Sequence, residues 1–287
     1  MITRALALAV LVVSVLVAAE ASAARVSAVG LIDFTKPNFN VGDWVRYRVD
    51  VSNSAGMEDV NQQEVRIVGE ETYRGERCFW VETWYGRDEE SATYDLSLVS
   101  YDVFKDVAPD VHYRHYLRLV LLSVDQEGIP EMTELARTNP NVPMPDLRPY
   151  RGTLDTLGVE KVETPRGEVE AQVVRLSRRI ARTQPAPDST VNLINESRRK
   201  TWLSRQVPVT SVVKEEDVED HKVQAYALGQ PVSTAPETVS KSLMRTATVT
   251  DWGKGAKSEL LVEWRKNRGL LRTKAGTTVE DDPNSPR

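Results

Sequence analysis

The sequence predicts a mainly β protein organised around one large, curved antiparallel sheet. Short segments of alternating apolar and polar side chains recur along most of the chain, and turn signals such as Arg74-Gly75 and Pro165-Arg166-Gly167 separate them. In residues 44–51 the valines and Tyr47 fall on one side, and the arginines and Asp50 fall on the other. Period-two alternation with β-branched and aromatic residues is typical of strands. Because only one side is apolar, we expect an antiparallel sheet with one face in water.

Residues 1–23 have the composition of a secretory signal peptide. Arg4 supplies a positive start, residues 5–19 are apolar, and Ala21-Ser22-Ala23 offers the small residues that a signal peptidase accepts. The apolar run is shorter than the roughly 20 residues that a spanning helix needs. We therefore expect export to the periplasm and no stable membrane span after signal cleavage. An uncleaved N-terminal anchor is the alternative.

The net charge and the single cysteine argue against two features, a nucleic-acid partner and an intrachain disulfide. The formal net charge is −5, and signal cleavage would leave it unchanged because Arg4 and Glu20 are removed together. Nucleic-acid-binding domains usually show a basic surface, so we expect no nucleic-acid partner. The single cysteine, Cys78, excludes an intrachain disulfide, and the neighbouring Phe79 and Trp80 favour a buried thiol.

The alternation predicts a series of hairpins. In the first half we expect strands within residues 44–51, 64–73, 77–85 and 92–103, an apolar segment at 111–124 that favours strand over helix, a short helix at 130–137, and a proline-rich loop or lid at 138–150. In the second half we expect strands at 157–164, 168–181, 191–203, 207–214, 222–228 and 241–251. The acidic run Glu215-Glu216-Asp217 is expected to cap a solvated turn.

These elements predict four segments of different character. They are the signal peptide at 1–23, an N-terminal lead-in at 24–40, a single β-rich domain at 41–264 and a disordered polar tail at 265–287.

No motif in the sequence indicates a catalytic or metal site. His112 and His115 could share a helical face, but the only other histidine is His221 and the only cysteine is Cys78, so no nearby residue of either type completes a zinc site. Gly253-Lys254-Gly255 is typical of a β-turn and lacks the context of a phosphate loop. We expect no enzyme activity, no metal and no cofactor. A hydrolase with an unidentified carboxylate pair is the weaker alternative.

Large aromatic residues suggest a binding site for an apolar ligand. Tyr47, Trp80, Trp84 and Trp202 lie on several predicted strands, and most such residues fill cores. A strongly curved sheet of this size, however, encloses more apolar lining than one thin core uses, and apolar ligands bind in such folds. We therefore predict that these four residues line an apolar ligand site.

Several motifs resemble those of a known family. They are Gly42-Asp43-Trp44-Val45-Arg46-Tyr47, Thr164-Pro165-Arg166-Gly167, Thr201-Trp202-Leu203-Ser204 followed by Val207-Pro208-Val209, and Trp252-Gly253-Lys254-Gly255-Ala256. Together they resemble the periplasmic outer-membrane lipoprotein carrier superfamily, in an uncharacterised branch. The resemblance implies an incomplete β-barrel with one or two short covering helices. This chain is longer than the carriers proper and has fewer recognisable helices.

The resemblance and the aromatic residues together predict a function. We expect an exported protein that binds or carries a lipid, or the acyl chain of an acylated protein, on the concave face of the sheet. The alternative is an envelope protein-binding or sensor module that takes no small ligand and uses a sheet edge or the C-terminal tail.

Overall fold

The computed structural model describes residues 37–88, 92–105, 116–124, 130–136, 152–186, 189–227 and 236–267. The predicted signal peptide, the proline-rich segment 138–150 and the pair His112 and His115 lie outside these ranges. Within them, no helix is both long enough and apolar enough to cross a membrane.

Eleven strands form one antiparallel sheet. They are β1 (Trp44–Asn53), β2 (Glu58–Tyr73), β3 (Glu76–Gly86), β4 (Thr93–Ser100), β5 (Tyr116–Val124), β6 (Pro130–Ala136), β7 (Gly152–Thr164), β8 (Gly167–Ala186), β9 (Ser189–Leu203), β10 (Val212–Ala227) and β11 (Thr238–Gly253). A 3₁₀ helix, Tyr101–Lys105, follows β4, and α1, Glu259–Asn267, follows β11.

The strand order places the first and last strands next to each other in the middle of the sheet. The order is β6-β5-β4-β3-β2-β1-β11-β10-β9-β8-β7. Each half of the chain is therefore a meander that runs outward from the β1–β11 pair. The end strands β6 and β7 are not paired with each other in the part of the chain that the structure describes, so the sheet is open.

The sheet is strongly curved. The turn between β7 and β8 reaches back to β11, where Arg166 Nη2 lies 2.8 Å from Asp251 Oδ1 and the guanidinium lies 4.8 Å from the centroid of the Trp252 ring. In a flat sheet β8 and β11 would be separated by three strand spacings, roughly 14 Å. The prediction of a mainly β fold with a curved, incompletely closed sheet is confirmed.

The side of the sheet that carries Val45, Tyr47 and Val49, called here the core side, holds most of the buried apolar residues. These three residues are fully buried and pack with Val65 and Phe79 on the neighbouring strands. Cross-strand packing of β-branched and aromatic residues stabilises antiparallel pairs. The alternation of residues 44–51 therefore predicted correctly which side of β1 is buried.

Residues 204–211 cover one end of this core and do not form the predicted strand. Val209 and Ser211 have φ angles of 68° and 57°, values that an extended strand does not allow. Asn38 Nδ2 holds the segment in place by donating to the carbonyl oxygen of Val207 at 2.8 Å and to Ser211 Oγ at 3.0 Å. Pro208 also lacks the amide hydrogen that a ladder needs, and the strand begins only at Val212.

The short helix predicted at 130–137 is wrong, because Pro130–Ala136 forms strand β6. The strand pairs along its length with β5, from Arg118 opposite Ala136 to Val124 opposite Pro130. A proline is tolerated at the first residue of an edge strand. Pairing with a neighbouring strand thus overrides the local preference for helix, while the expectation of a strand over Tyr116–Val124 is confirmed.

Helix α1 covers the opposite side of β3 and β4, called here the helix side. Leu260, Leu261 and Trp264 pack against Trp80, Leu96 and Leu98, and the Trp80 and Trp264 ring centroids are 4.8 Å apart.

Ser258 begins the helix as its N-cap, since its Oγ accepts from the amide of Leu261 at 2.8 Å. The helix ends at Asn267. The predicted tail therefore cannot begin at Arg265, because residues 265–267 are helical.

We expect Trp264→Ala to lower the free energy of unfolding by about 3–5 kcal/mol, because it removes a side chain that is only 1% exposed and leaves a cavity against Trp80. Urea unfolding followed by circular dichroism measures the change. Val262→Ala on the same helix is the control, since Val262 is 51% exposed, and should stay within about 0.5 kcal/mol. Equal losses in the two variants would show that α1 is not held through Trp264.

Candidate functional site

The four aromatic residues predicted to line a ligand site do not share one face. Tyr47 and Trp202 belong to the main core cluster, whereas Trp80 lies under α1 on the helix side. Trp84 also lies on the helix side, opposite Glu64 in the β2–β3 register. Their exposed fractions are 0% for Tyr47, 0% for Trp80, 1% for Trp84 and 4% for Trp202. In these positions they are packing residues, and the prediction of one common lining has to be corrected.

Tyr47 joins β1 to the segment that covers the core. Its hydroxyl is hydrogen-bonded to Thr210 Oγ1 and donates to the carbonyl oxygen of Val212 at 2.9 Å. Burial strongly raises the pKa of this phenol, and the nearby Glu215 carboxylate raises it further. Tyr47 is therefore uncharged, and its role is to link β1 to the segment that covers the core.

Trp202 is held by polar partners at the edge of its ring. Its Nε1 donates to Glu160 Oε2 at 2.7 Å. The ammonium groups of Lys200 and Lys214 lie 4.2 and 4.8 Å from its ring centroid. These contacts occupy the positions that a ligand would need in order to reach the indole.

A buried group of charged residues, called here the ion cluster, lies on the core side next to the apolar residues. It consists of Glu215, Arg245, Arg199 and Asp217. Arg245 Nη1 lies 2.9 Å from Glu215 Oε1, and Arg199 Nη2 lies 3.0 Å from Asp217 Oδ2. Glu215 is only 1% exposed, so the expectation of a solvated acidic turn is wrong: Glu215-Glu216-Asp217 lies inside β10.

Burial dominates the electrostatics of Glu215. It raises the pKa of the carboxyl group, and the neighbouring Arg199 and Arg245 lower it by less. Within the described residues, Glu215 Oε2 accepts no hydrogen bond. Sequence patterning missed this cluster because residues 214–222 carry charges on both sides of the strand, which leaves no alternation to detect.

One row of residues connects the ion cluster to the open edge of the sheet. Leu154, Leu176, Arg199, Asp217 and Arg245 are successive register partners across β7, β8, β9, β10 and β11. Directly opposite residues project to the same side of an antiparallel sheet. The row is apolar at the edge, where Leu154 is 67% exposed, and charged toward the middle.

A second polar feature is an open cleft of about 220 Å³ on the helix side, called here the outer cleft. Its lining is Trp44, Arg46, Glu64, Arg66, Lys254, Gly255 and Ala256. Arg46 Nε donates to Glu64 Oε2 at 2.7 Å, Arg66 Nε donates to Glu64 Oε1, and Arg66 Nη1 donates to Glu82 Oε1 at 3.1 Å. Glu82 in turn accepts from Ser258 Oγ, so this ladder of ion pairs leads to the start of α1.

Burial affects two carboxyl groups, Glu82 of the ladder and Asp95 on the neighbouring strand β4. Burial raises the pKa of Glu82. It also raises the pKa of Asp95 on β4 to about 7, and the charge of Glu82 adds to this shift. Asp95 therefore exchanges its proton near neutral pH in the folded protein.

Within the described ranges, no three residues among His, Cys, Asp and Glu are grouped to hold a metal ion. Cys78 is buried, as expected, and burial raises the pKa of its thiol to about 11. A thiol of this kind is a poor nucleophile.

We expect Arg245→Ala to lower the free energy of unfolding by about 3–5 kcal/mol, because it leaves Glu215 buried without its closest cation. The double variant Arg245→Ala, Glu215→Gln should recover a substantial part of that loss. Chemical denaturation gives both values. Arg48→Ala is the control, since Arg48 is 58% exposed in its pair with Asp50 and should cost below about 1 kcal/mol. A double variant no more stable than the single one would contradict this assignment of the cluster.

We expect the contribution of Asp95 to the free energy of unfolding to fall as the pH rises from about 4 to about 7. A carboxyl group whose pKa is raised by folding binds its proton more tightly in the folded state, so its contribution is present at low pH and lost above its folded pKa. Asp95→Asn should therefore gain on the order of 2 kcal/mol relative to the wild type between pH 4 and pH 8. Denaturation at several pH values, with Asp50→Asn as a surface control, measures this difference. A constant difference across the range would refute it.

Comparisons with known proteins found partial structural similarity. No family model matches the sequence, and no curated protein does. An exported protein with a YmcC-like fold from Bacteroides fragilis NCTC 9343 is 13% identical, with a TM-score of 0.29, over 77% of this chain and 100% of the other.

Two further solved structures are similar in part. A protein from Parabacteroides distasonis ATCC 8503, described as a lipoprotein, is 12% identical, with a TM-score of 0.29, over 77% of this chain and 99% of the other. A LolA superfamily protein from Nitrosomonas europaea is 11% identical, with a TM-score of 0.25, over 83% of this chain and 95% of the other.

Proposed function

We propose that the protein is exported to the periplasm and carries an amphiphilic apolar ligand, such as a lipid or the acyl chain of a lipoprotein, on the core side of its curved sheet. The observation that supports this most is the row that runs from Leu154 at the open edge to Arg199 and Arg245 in the ion cluster. Its two ends match the two ends of an amphiphile.

The apolar end of the row provides the free energy of binding. Leu154, Leu157 and Val159 on β7 are 67%, 42% and 61% exposed. Covering apolar surface contributes about 25 cal/mol per Å², so one acyl chain lying across this edge would bind without any charged contact.

The charged end of the row provides orientation. Arg199 and Asp217 are hydrogen-bonded to each other and lie one and two strands further in than Leu176. A ligand whose chain covers Leu154 and Leu176 would bring its polar group toward this pair. Tyr47 and Trp202 are buried packing residues and do not need to touch the ligand.

We expect Leu154→Ser to weaken the binding of a fluorescent fatty acid by up to about tenfold, the equivalent of roughly 1.4 kcal/mol for one lost apolar contact. Titration followed by fluorescence measures the affinity. Val239→Ser is the matched control, because Val239 is 53% exposed on β11 and lies outside the row. Native mass spectrometry of protein purified without detergent should show bound lipid. Bare protein together with no binding of the fluorescent probe would refute the carrier function.

The second candidate is a protein-binding module of the envelope, favoured by the same edge strand. β7 is paired only with β8 among the described strands, and an exposed edge can accept a strand from a partner. Removing residues 268–287, beyond the end of α1, distinguishes a carrier from a module that binds its partner through the tail. A carrier should retain its lipid after this truncation, whereas a module that uses the tail should lose its partner in a pull-down.

A further inference from the structure

We propose that the outer cleft is a binding site for a phosphate group, separate from the ligand surface on the core side. Three cationic side chains, those of Arg46, Arg66 and Lys254, line it together with the single carboxylate of Glu64. Glu82 offsets part of this charge from behind Arg66. A cationic excess in one cleft contrasts with a chain whose net charge is −5, and it favours an anionic ligand.

The arginines in the cleft are held in fixed positions. Glu64, only 2% exposed, accepts from the Nε atoms of both Arg46 and Arg66. The Arg46 guanidinium also lies 5.7 Å from the ring centroids of both Trp44 and Trp84. Guanidinium groups that are oriented before binding lose less conformational entropy when they bind an oxyanion.

Among the cations of the cleft, Lys254 is the one with which no carboxylate of the described residues pairs. It is exposed, and it forms no ion pair with any residue in the described ranges. The backbone that follows Lys254 is nevertheless held in place, because the amide of Ala256 donates to the carbonyl oxygen of Gly42 at 2.9 Å. A Cβ atom on Gly253 would lie 2.9 Å from Trp44 Nε1, so the glycine allows the turn to pack directly on the indole.

The size of the cleft limits the ligand to a small group. A space of about 220 Å³ that opens to solvent accommodates a phosphate monoester or diester but not an acyl chain. Free phosphate and the headgroup of an anionic phospholipid share this chemistry. A protein that works beside a membrane could meet either of them.

The test compares Lys254→Glu with Lys257→Glu. Both lysines are exposed and only three positions apart, but Lys257 does not line the cleft. Isothermal titration with inorganic phosphate at low ionic strength is the first arm, and cosedimentation with phosphatidylglycerol or phosphatidylcholine vesicles is the second. Low ionic strength is needed because salt screens exposed charges.

We expect the wild type and Lys257→Glu to bind equally and Lys254→Glu to bind at least fivefold more weakly. Saturable binding of inorganic phosphate without binding to phosphatidylglycerol vesicles would identify a free phosphate compound as the ligand. Binding to phosphatidylglycerol but not phosphatidylcholine vesicles, with or without binding of inorganic phosphate, would identify a lipid headgroup. The proposal is overturned if the wild type binds neither probe, or if the two variants lose binding equally. Neither result depends on the fatty-acid titration, so the carrier function can fail while this site stands.

Discussion

Pairing of β1 with β11 is the constraint on which the rest of the structure depends. Ten register pairs, from Trp44 opposite Gly253 to Asn53 opposite Leu243, join residues about two hundred positions apart. Each half of the chain is a local meander, but neither half alone encloses the core around Tyr47 and Val249. Closing such a long loop has a high entropic cost before any contact repays it. The two meanders therefore gain their common core only when the first and last strands meet.

The two sides of the sheet are packed differently. On the core side, apolar packing around Val45 and Tyr47 passes directly into the ion cluster around Glu215. On the helix side, α1 covers the apolar residues of β3 and β4, and ion pairs from Arg46 to Glu82 continue to the helix cap at Ser258. Buried charges are costly unless they are paired. Both ion-paired groups therefore specify the register of the strands that carry them.

The open edge and the outer cleft give the protein two surfaces of different chemistry. One row runs from apolar side chains on β7 and β8 to charged side chains on β9, β10 and β11, which suits a long amphiphile. The cleft offers oriented cations on the opposite side of the sheet, which suits a small anion. Both surfaces bear on the proposed carrier function, since phospholipids combine acyl chains with phosphate groups.

Much of the fold could be predicted from the sequence, because alternation is a local signal. The pattern in residues 44–51 determined the buried side of β1, and the Phe79-Trp80 neighbourhood of Cys78 determined a buried thiol. Residues 130–136 could not be assigned in this way, because their strand exists through pairing with β5.

The positions of the candidate site residues likewise could not be predicted from the sequence, because they depend on pairing with distant strands. Trp80, Trp84 and Tyr47 are all large aromatic residues on predicted strands. Only the strand register shows that the two tryptophans face the other side of the sheet from Tyr47. Glu215 reads as a surface charge until Arg245, thirty positions later, is placed 2.9 Å from it. The sequence by itself determined which residues alternate, and the tertiary structure decided which charges are buried together, because burial and ion pairing depend on neighbours that are distant in the chain.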